Sequence, residues 1–153
     1  MNNMYSFVFK RQPKSYNKRR FKSESAKNNY LTELKESINQ FNPIVTPFAD
    51  DLYGLIYYFH RRDTGTDADN ISKPLWDILK GILFNDDQQV KLRIAGSIDI
   101  SSGDFSIINF SKLRGEIIAE LIEAFETKDH IVYVECGLLK KPMYKFNLED
   151  YGN

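Results

Sequence analysis

Along this chain hydrophobic and polar residues alternate in some stretches and recur every three or four residues in others. Met4 to Lys10 (MYSFVFK) alternates, with aromatic and β-branched members, and predicts a first strand. From Ser23, a suitable N-cap, Ala26, Tyr30, Leu34 and Ile38 recur at helical spacing and Leu31 widens the stripe, with Lys27, Glu33, Lys35 and Glu36 on the other face. That predicts an amphipathic helix packed on a sheet. Pro43 and Pro47 mark a connection. Leu52 to Arg61 is apolar on both faces, Leu55, Tyr57 and Phe59 on one and Ile56 and Tyr58 on the other, as a central strand would be. Leu75, Trp76, Ile78 and Leu79 predict a helix capped by Asn70 or Ser72 and ended by Gly81, with Pro74 tolerable only in its first turn. Val90 to Ile98 alternates again, Ser101 to Asp104 reads as a turn, and Phe105 to Phe110 as a short strand. Ser111 to Glu126 carries an apolar stripe of Leu113, Ile117, Ile118, Leu121, Ile122 and Phe125 opposite Glu116, Glu120 and Glu123, and predicts another amphipathic helix. Ile131 to Cys136 is the last predicted strand, and the tail from Lys140 to Asn153 is expected to be ordered only in part.

Together these elements predict one α+β domain over residues 1–153, a mixed β-sheet with packed helices. The many aromatics, 9 Tyr and 11 Phe, fit a sheet-rich core. No run approaches the ~18 apolar residues of a membrane span and the amino terminus lacks the apolar block of a signal peptide, so a cytoplasmic protein is expected. The lone Cys136 cannot form an internal disulfide and reads as a buried core residue. His60 and His130, far apart and without ligand spacing, read as structural or surface residues.

Net charge is formally zero, yet the charges are segregated. Lys10, Arg11, Lys14, Lys18, Arg19, Arg20, Lys22 and Lys27 face only Glu24 in the early basic segment, and the carboxyl-terminal third leans acidic. The loop Arg11 to Arg20, with Pro13, Ser15 and Asn17, would leave the first strand able to reach phosphates. The other concentration is Thr66 to Val90, which gathers Asp67, Asp69, Asp77, Asp86 and Asp87 around Lys73. In extended backbone Asp67 and Asp69 would point to the same side and share a cation, with Asp87 or Asp86 completing the oxygen shell. Lys73 and Asp77 would share a helix face, either as an ion pair or with Lys73 near a scissile phosphate. Aspartates before a helix are also common caps, and a DD pair is a common turn.

Read in order, DADN, Lys73 three residues beyond the Asn, Pro74, Asp77, LKGILF and DDQQV closely resemble the core signature of the RusA family of Holliday junction resolvases. The basic stretch Pro13 to Arg20 is similar to that family's early loop, so the resemblance runs over residues 5–98, and the strand at Ile131 is similar to its closing strand. The resemblance implies a small homodimer that binds four-way or other branched DNA and nicks two opposing strands symmetrically. It implies Mg2+ as cofactor, Mn2+ being the alternative, products with 5′-phosphates, and a place in recombination, repair or phage DNA processing. It also implies Asp67, Asp69 and Asp87 as metal ligands with Asp86 beside them, Lys73 as the catalytic lysine, Asp77 as a neighbouring acid, and Lys14, Asn17, Lys18, Arg19 and Arg20 as DNA contacts. Residues 99–129, with the acidic helix, read as an insertion relative to that family. A branched-DNA-binding protein of the same fold without catalysis is the alternative, and capture of a partner protein by the acidic helix a third.

Overall fold

The computed structural model describes residues 3–14, 21–62 and 64–150. In chain order the elements are β1 (Met4–Phe9), α1 (Glu24–Phe41), β2 (Leu52–His60), α2 (Ala68–Leu79), β3 (Val90–Asp99), α3 (Gly115–Thr127) and β4 (His130–Leu138). The strands form one sheet in the order β1-β4-β2-β3. β4 runs antiparallel to both β1 and β2, and β2 runs parallel to β3 with α2 as the crossover. The sheet is therefore mixed and the class α+β, as the hydrophobic pattern predicts. β2 lies inside the sheet, which is why both of its faces are apolar.

The two faces of the sheet have different cover. On the face carrying Phe9, Ile56, Tyr58 and Val134, α1 lays down its buried stripe of Tyr30, Leu34, Ile38 and Phe41, with Phe9 edge-on to Tyr30 at 5.1 Å. The start of α1 is set by Ser23, whose Oγ accepts from the Ala26 N–H at 3.0 Å. α2 covers the same face farther along and buries Ile71, Leu75, Trp76 and Leu79. The opposite face receives α3, whose Phe125 stacks on Phe105 at 5.0 Å and meets Phe59 at a tilted angle at 4.9 Å. Farther along that face, Tyr53 and Tyr133 both donate to the carboxylate of Glu135, and burial followed by that carboxylate raises both phenol pKa values.

Three local expectations are corrected. Phe105 to Phe110 forms turns instead of a strand, because the Asp104 and Asn109 side chains accept from the N–H groups of Ser106 and Ser111 and so compete with a ladder. α2 is capped at Asp67, not at Asn70 or Ser72. Pro74 lies in the helix interior rather than the first turn, where its buried ring offsets the missing N–H by packing in the core. Cys136 is fully buried, and burial pushes its thiol up to about 12, consistent with a core role. No described helix is long and apolar enough to cross a membrane.

The tightest constraint on α2 is Gly54 of β2. A Cβ there would lie 2.4 Å from the Trp76 ring and 3.0 Å from Val90, and Trp76 is itself fully buried, with no room to retreat. Gly54→Ala is expected to cost about 1–3 kcal/mol by overpacking, measured by urea denaturation. Unchanged stability would mean that the indole is not held against this strand.

Candidate active site

Strand direction decides where each charged group of Thr66 to Val90 ends up. The parallel pairing aligns Leu52 with Val90 and His60 with Asp99, so β2 and β3 begin at one end of the sheet and finish at the other. α2 must run back across the face between them. Its amino end follows the finishing end of β2, and its carboxyl end precedes the starting end of β3. A helix of 12 residues spans about 18 Å.

Asp67 and Asp69 sit at the amino end of α2. Asp67 is the N-cap, in extended backbone, with no capping bond from its own side chain, and Asp69 lies in the first helical turn. The expected extended alternation of the two is therefore replaced by a helix start, because the helix begins at Ala68. Both side chains are exposed, and the positive end of the helix dipole favours their charges. Lys73 follows one turn later, its Nζ donating to Asp77 Oδ2 at 3.2 Å on the exposed face. That ion pair is the i,i+4 contact that the spacing predicts.

Asp86 and Asp87 sit at the other end. The helix stops at Leu79, Lys80 caps it, and Gly81 takes the left-handed conformation (φ 84°) that favours glycine. Gln89 then pins the turn. Its Oε1 accepts from the N–H groups of Asn85 at 2.9 Å and Asp86 at 2.7 Å, while its Nε2 donates to the carbonyls of Phe48 and Asp50, both at 2.9 Å. Asp86 closes the capping box by accepting from the Gln88 N–H at 3.0 Å. That bond, then a hydrogen bond with Asp87, then Lys80 and Lys91 hold the Asp86 carboxyl below the usual range. Asp87 is held by Arg93, whose Nη2 donates to the Asp87 carbonyl at 2.8 Å and lies 3.9 Å from its carboxylate.

The four acidic positions thus form two pairs, Asp67 with Asp69 and Asp86 with Asp87, at opposite ends of α2 and not one shell within a chain. Among the described residues no three His, Cys, Asp or Glu side chains gather as a metal site. Each pair alone offers the one or two hard oxygen ligands that Mg2+ uses when water and substrate phosphate fill its other positions. In chemical type, then, the donor set fits a hard divalent cation.

The basic loop leaves β1 at Phe9, which pairs through Val132 with Tyr58 near the finishing end of β2. It therefore emerges at the same end of the sheet as Asp67 and Asp69. Lys14 lies 4.5 Å above the Phe21 ring, and Arg11 reaches Glu33 at 3.4 Å across α1. Asn17, Lys18, Arg19 and Arg20 lie outside the described residues. The sheet also joins two residues that sequence spacing kept apart. His60 and His130 are direct cross-strand partners, His60 Nε2 lying 3.1 Å from Ser97 Oγ and His130 Nδ1 2.8 Å from the Tyr58 hydroxyl. Burial is the main cause pushing His130 below its ordinary pKa, and Asp129 pulls the other way. Gln89 is a further anchor, legible in sequence only as the capping-box spacing Asp86-x-x-Gln89.

Gln89→Ala removes one amide that satisfies four backbone groups. The variant is expected to lose about 1–3 kcal/mol, read by thermal or urea unfolding; a loss indistinguishable from zero would mean that water replaces the amide and the turn is not pinned by it.

The sequence pattern of the family described as endodeoxyribonuclease RusA matches residues 7–103. The match takes in the second half of β1, then α1, β2, α2, both aspartate pairs and β3, and it ends before α3 and β4. Comparison with curated proteins finds no match. With more than half of the chain matched, and with both aspartate pairs and Lys73 inside that span, the chain belongs to the RusA endodeoxyribonuclease family.

Proposed function

We propose that this protein is a homodimeric, Mg2+-dependent endodeoxyribonuclease that resolves four-way DNA junctions by paired symmetric nicks, acting in the cytoplasm in recombination and repair. The observation that carries this reading is that the basic segment leaves β1 at the end of the sheet where Asp67 and Asp69 start α2, inside the span shared with a family of endodeoxyribonucleases that acts on branched DNA. Mn2+ is the alternative ion.

In this reading Lys14, with Asn17, Lys18, Arg19 and Arg20 farther along the loop, holds the DNA backbone by phosphate contacts. Asp67 and Asp69, with Asp86 and Asp87, hold the cation. A helix amino terminus ordinarily attracts phosphate, but here two carboxylates occupy it, so a bridging cation reconciles that end with a polyanion. The bound ion would activate water and neutralise charge at the phosphoryl oxygens. Lys73 would leave Asp77 to stabilise negative charge developing on the phosphate. Water adds to phosphorus and the 3′ oxygen departs with a proton, leaving a 5′-phosphate and a 3′-hydroxyl.

The separation of the two aspartate pairs supports a homodimer. With about 18 Å of helix axis between them, a site using Asp67, Asp69 and Asp87 together calls for a second copy to bring its turn to the first copy's helix start. The same separation favours a second reading, a branched-DNA-binding protein without catalysis, should the chain act alone.

Purified protein is to be incubated with a synthetic four-way junction and with linear duplex, in Mg2+, Mn2+ or EDTA. Paired nicks confined to the junction and abolished by EDTA are expected, with Asp69→Asn and Lys73→Ala each lowering the rate by about 100-fold or more. Tight junction binding without cleavage in either metal would replace this reading by the second. Equal cutting of linear duplex would remove the structure specificity.

A further inference from the structure

A nucleic-acid backbone that reaches from the basic segment to the start of α2 has to cross the end of the sheet between them. Strand order sets what lies there. β1 delivers the basic segment and β2 delivers the linker to Asp67, while β4 stands between the two and begins at His130, directly opposite His60. The crossing from β1 to β2 is two strand spacings, about 10 Å, close to three nucleotides of one strand at about 3.4 Å of axial rise each. Lys128 and Asp129, where α3 turns into β4, occupy it together with Arg61 and Arg62 at the end of β2.

This corner fastens its backbone and leaves cations outside. The Arg61 N–H donates to the Asp129 carbonyl at 3.0 Å, and Arg61 Nε donates to the Lys128 carbonyl at 3.2 Å. Those two bonds tie the end of β2 to the start of β4 and set Arg62 beside Asp129. The Arg62 side chain is 79% exposed, and its Nε lies 3.4 Å from Oδ2 of Asp129, a carboxylate itself 45% exposed. Lys128 is exposed as well. An ion pair this open stabilises the fold little, so Arg62 can exchange partners at small cost. A phosphate is the stronger candidate for that exchange, because its oxygens suit the planar guanidinium fork and it arrives as one of a row of anions.

We propose that Arg62 and Lys128 form a second phosphate-binding point, taken by the DNA backbone on its way from the basic segment to Asp67 and Asp69. Asp129 holds Arg62 in the free protein, standing in for the phosphate, and DNA displaces it. Lys128 and Asp129 lie outside the matched span of residues 7–103, so this contact is supplied by a part of the chain that the family pattern does not reach. The carboxyl end of α3 thereby gains a task, presenting Lys128 and anchoring the strand end that carries Arg62. This inference rests on the DNA reading above and adds contacts to it.

The test is binding of a labelled four-way junction to the full chain, read by fluorescence anisotropy across a series of salt concentrations in Ca2+, a hard cation that takes oxygen ligands as Mg2+ does. Arg62→Ala and Lys128→Ala are each expected to weaken binding about threefold or more and to lower the slope of log affinity against log salt by about 0.9, the signature of one lost phosphate contact. Arg62→Lys is expected to keep the wild-type slope. Asp129→Asn retains the carbonyl that Arg61 binds and removes only the charge, so it is expected to strengthen binding by about threefold. These opposite signs separate a phosphate contact from a structural ion pair, whose two partners would weaken binding together. A slope unchanged in either alanine variant, or an Asp129→Asn variant that binds more weakly than wild type, overturns the proposal; thermal unfolding of each variant confirms that it is folded. A wild type that binds neither junction nor duplex refutes the DNA reading itself, whereas one that binds and cuts with a salt slope indifferent to Arg62 and Lys128 refutes only this second contact.

Discussion

The contact between Trp76 and Gly54 governs the geometry of everything with chemical potential in this chain. The largest side chain of α2 fills the space left by the missing side chain of β2, backed by Val90 and by Phe84 at a ring separation of 6.1 Å. Helix and sheet approach closely there, which sets the height of α2 and its position along β2. The parallel pairing of β2 with β3 then fixes its direction. With those settled, the aspartates flanking the helix have no freedom to meet. One pair is carried to the finishing end of β2 and the other to the starting end of β3.

Other devices keep this frame from being extended at its edges. β1 is an outer strand, and the buried Asn42 at the end of α1 supplies Nδ2 to the Ser6 carbonyl at 2.9 Å and accepts from the Ser6 N–H at 3.4 Å. Arg114, just before α3, donates to Ser6 Oγ at 3.0 Å and to the Phe41 carbonyl at 3.1 Å. The segment after the family span is therefore tied to the earliest part of the chain, and α3 adds an ion pair from Glu120 to Lys10. At the opposite edge, β3 presents exposed Lys91, Arg93 and Asp99, charges that discourage pairing with a stray strand.

How much could be read in advance depended on whether the signal was local. The alternation in β1 and β2, the Ser23 cap and the stripe of α1 are properties of neighbouring residues, and they came through nearly to the residue. The strand expected at Phe105 did not form because side-chain bonds from Asp104 and Asn109 favour turns, although its Phe105, Ile108 and Phe110 do pack on the core as apolar residues should. The identity of the acidic residues was legible as a pattern, but their arrangement was not. Asp67 and Asp69 seem adjacent to Asp87 in a string of letters, whereas the crossover that separates them depends on which strand pairs with β3. The His60–His130 pair was hidden for the same reason, since its register is set by β4, which lies 70 residues beyond His60.

A neutral chain that handles DNA needs its charges kept apart, and the topology supplies that separation. The described start of the basic segment, after Phe9, and the amino end of α2 lie at one end of the sheet, so in the function proposed above attraction for phosphate and repulsion by Asp67 and Asp69 act at the same end. The long-range field of a molecule with zero net charge is weak, and within about 8–10 Å screening by salt leaves mainly neighbouring charges to matter. Capture of DNA must then rely on local contacts and on shape, not on steering from a distance. Under that proposal, a carboxylate pair at the end of the sheet where the basic segment begins would oppose a duplex backbone unless a cation lay between them. In the proposed function, the same charges that would weaken binding without metal would make DNA binding and metal occupancy mutually dependent, each supplying the charge that the other requires.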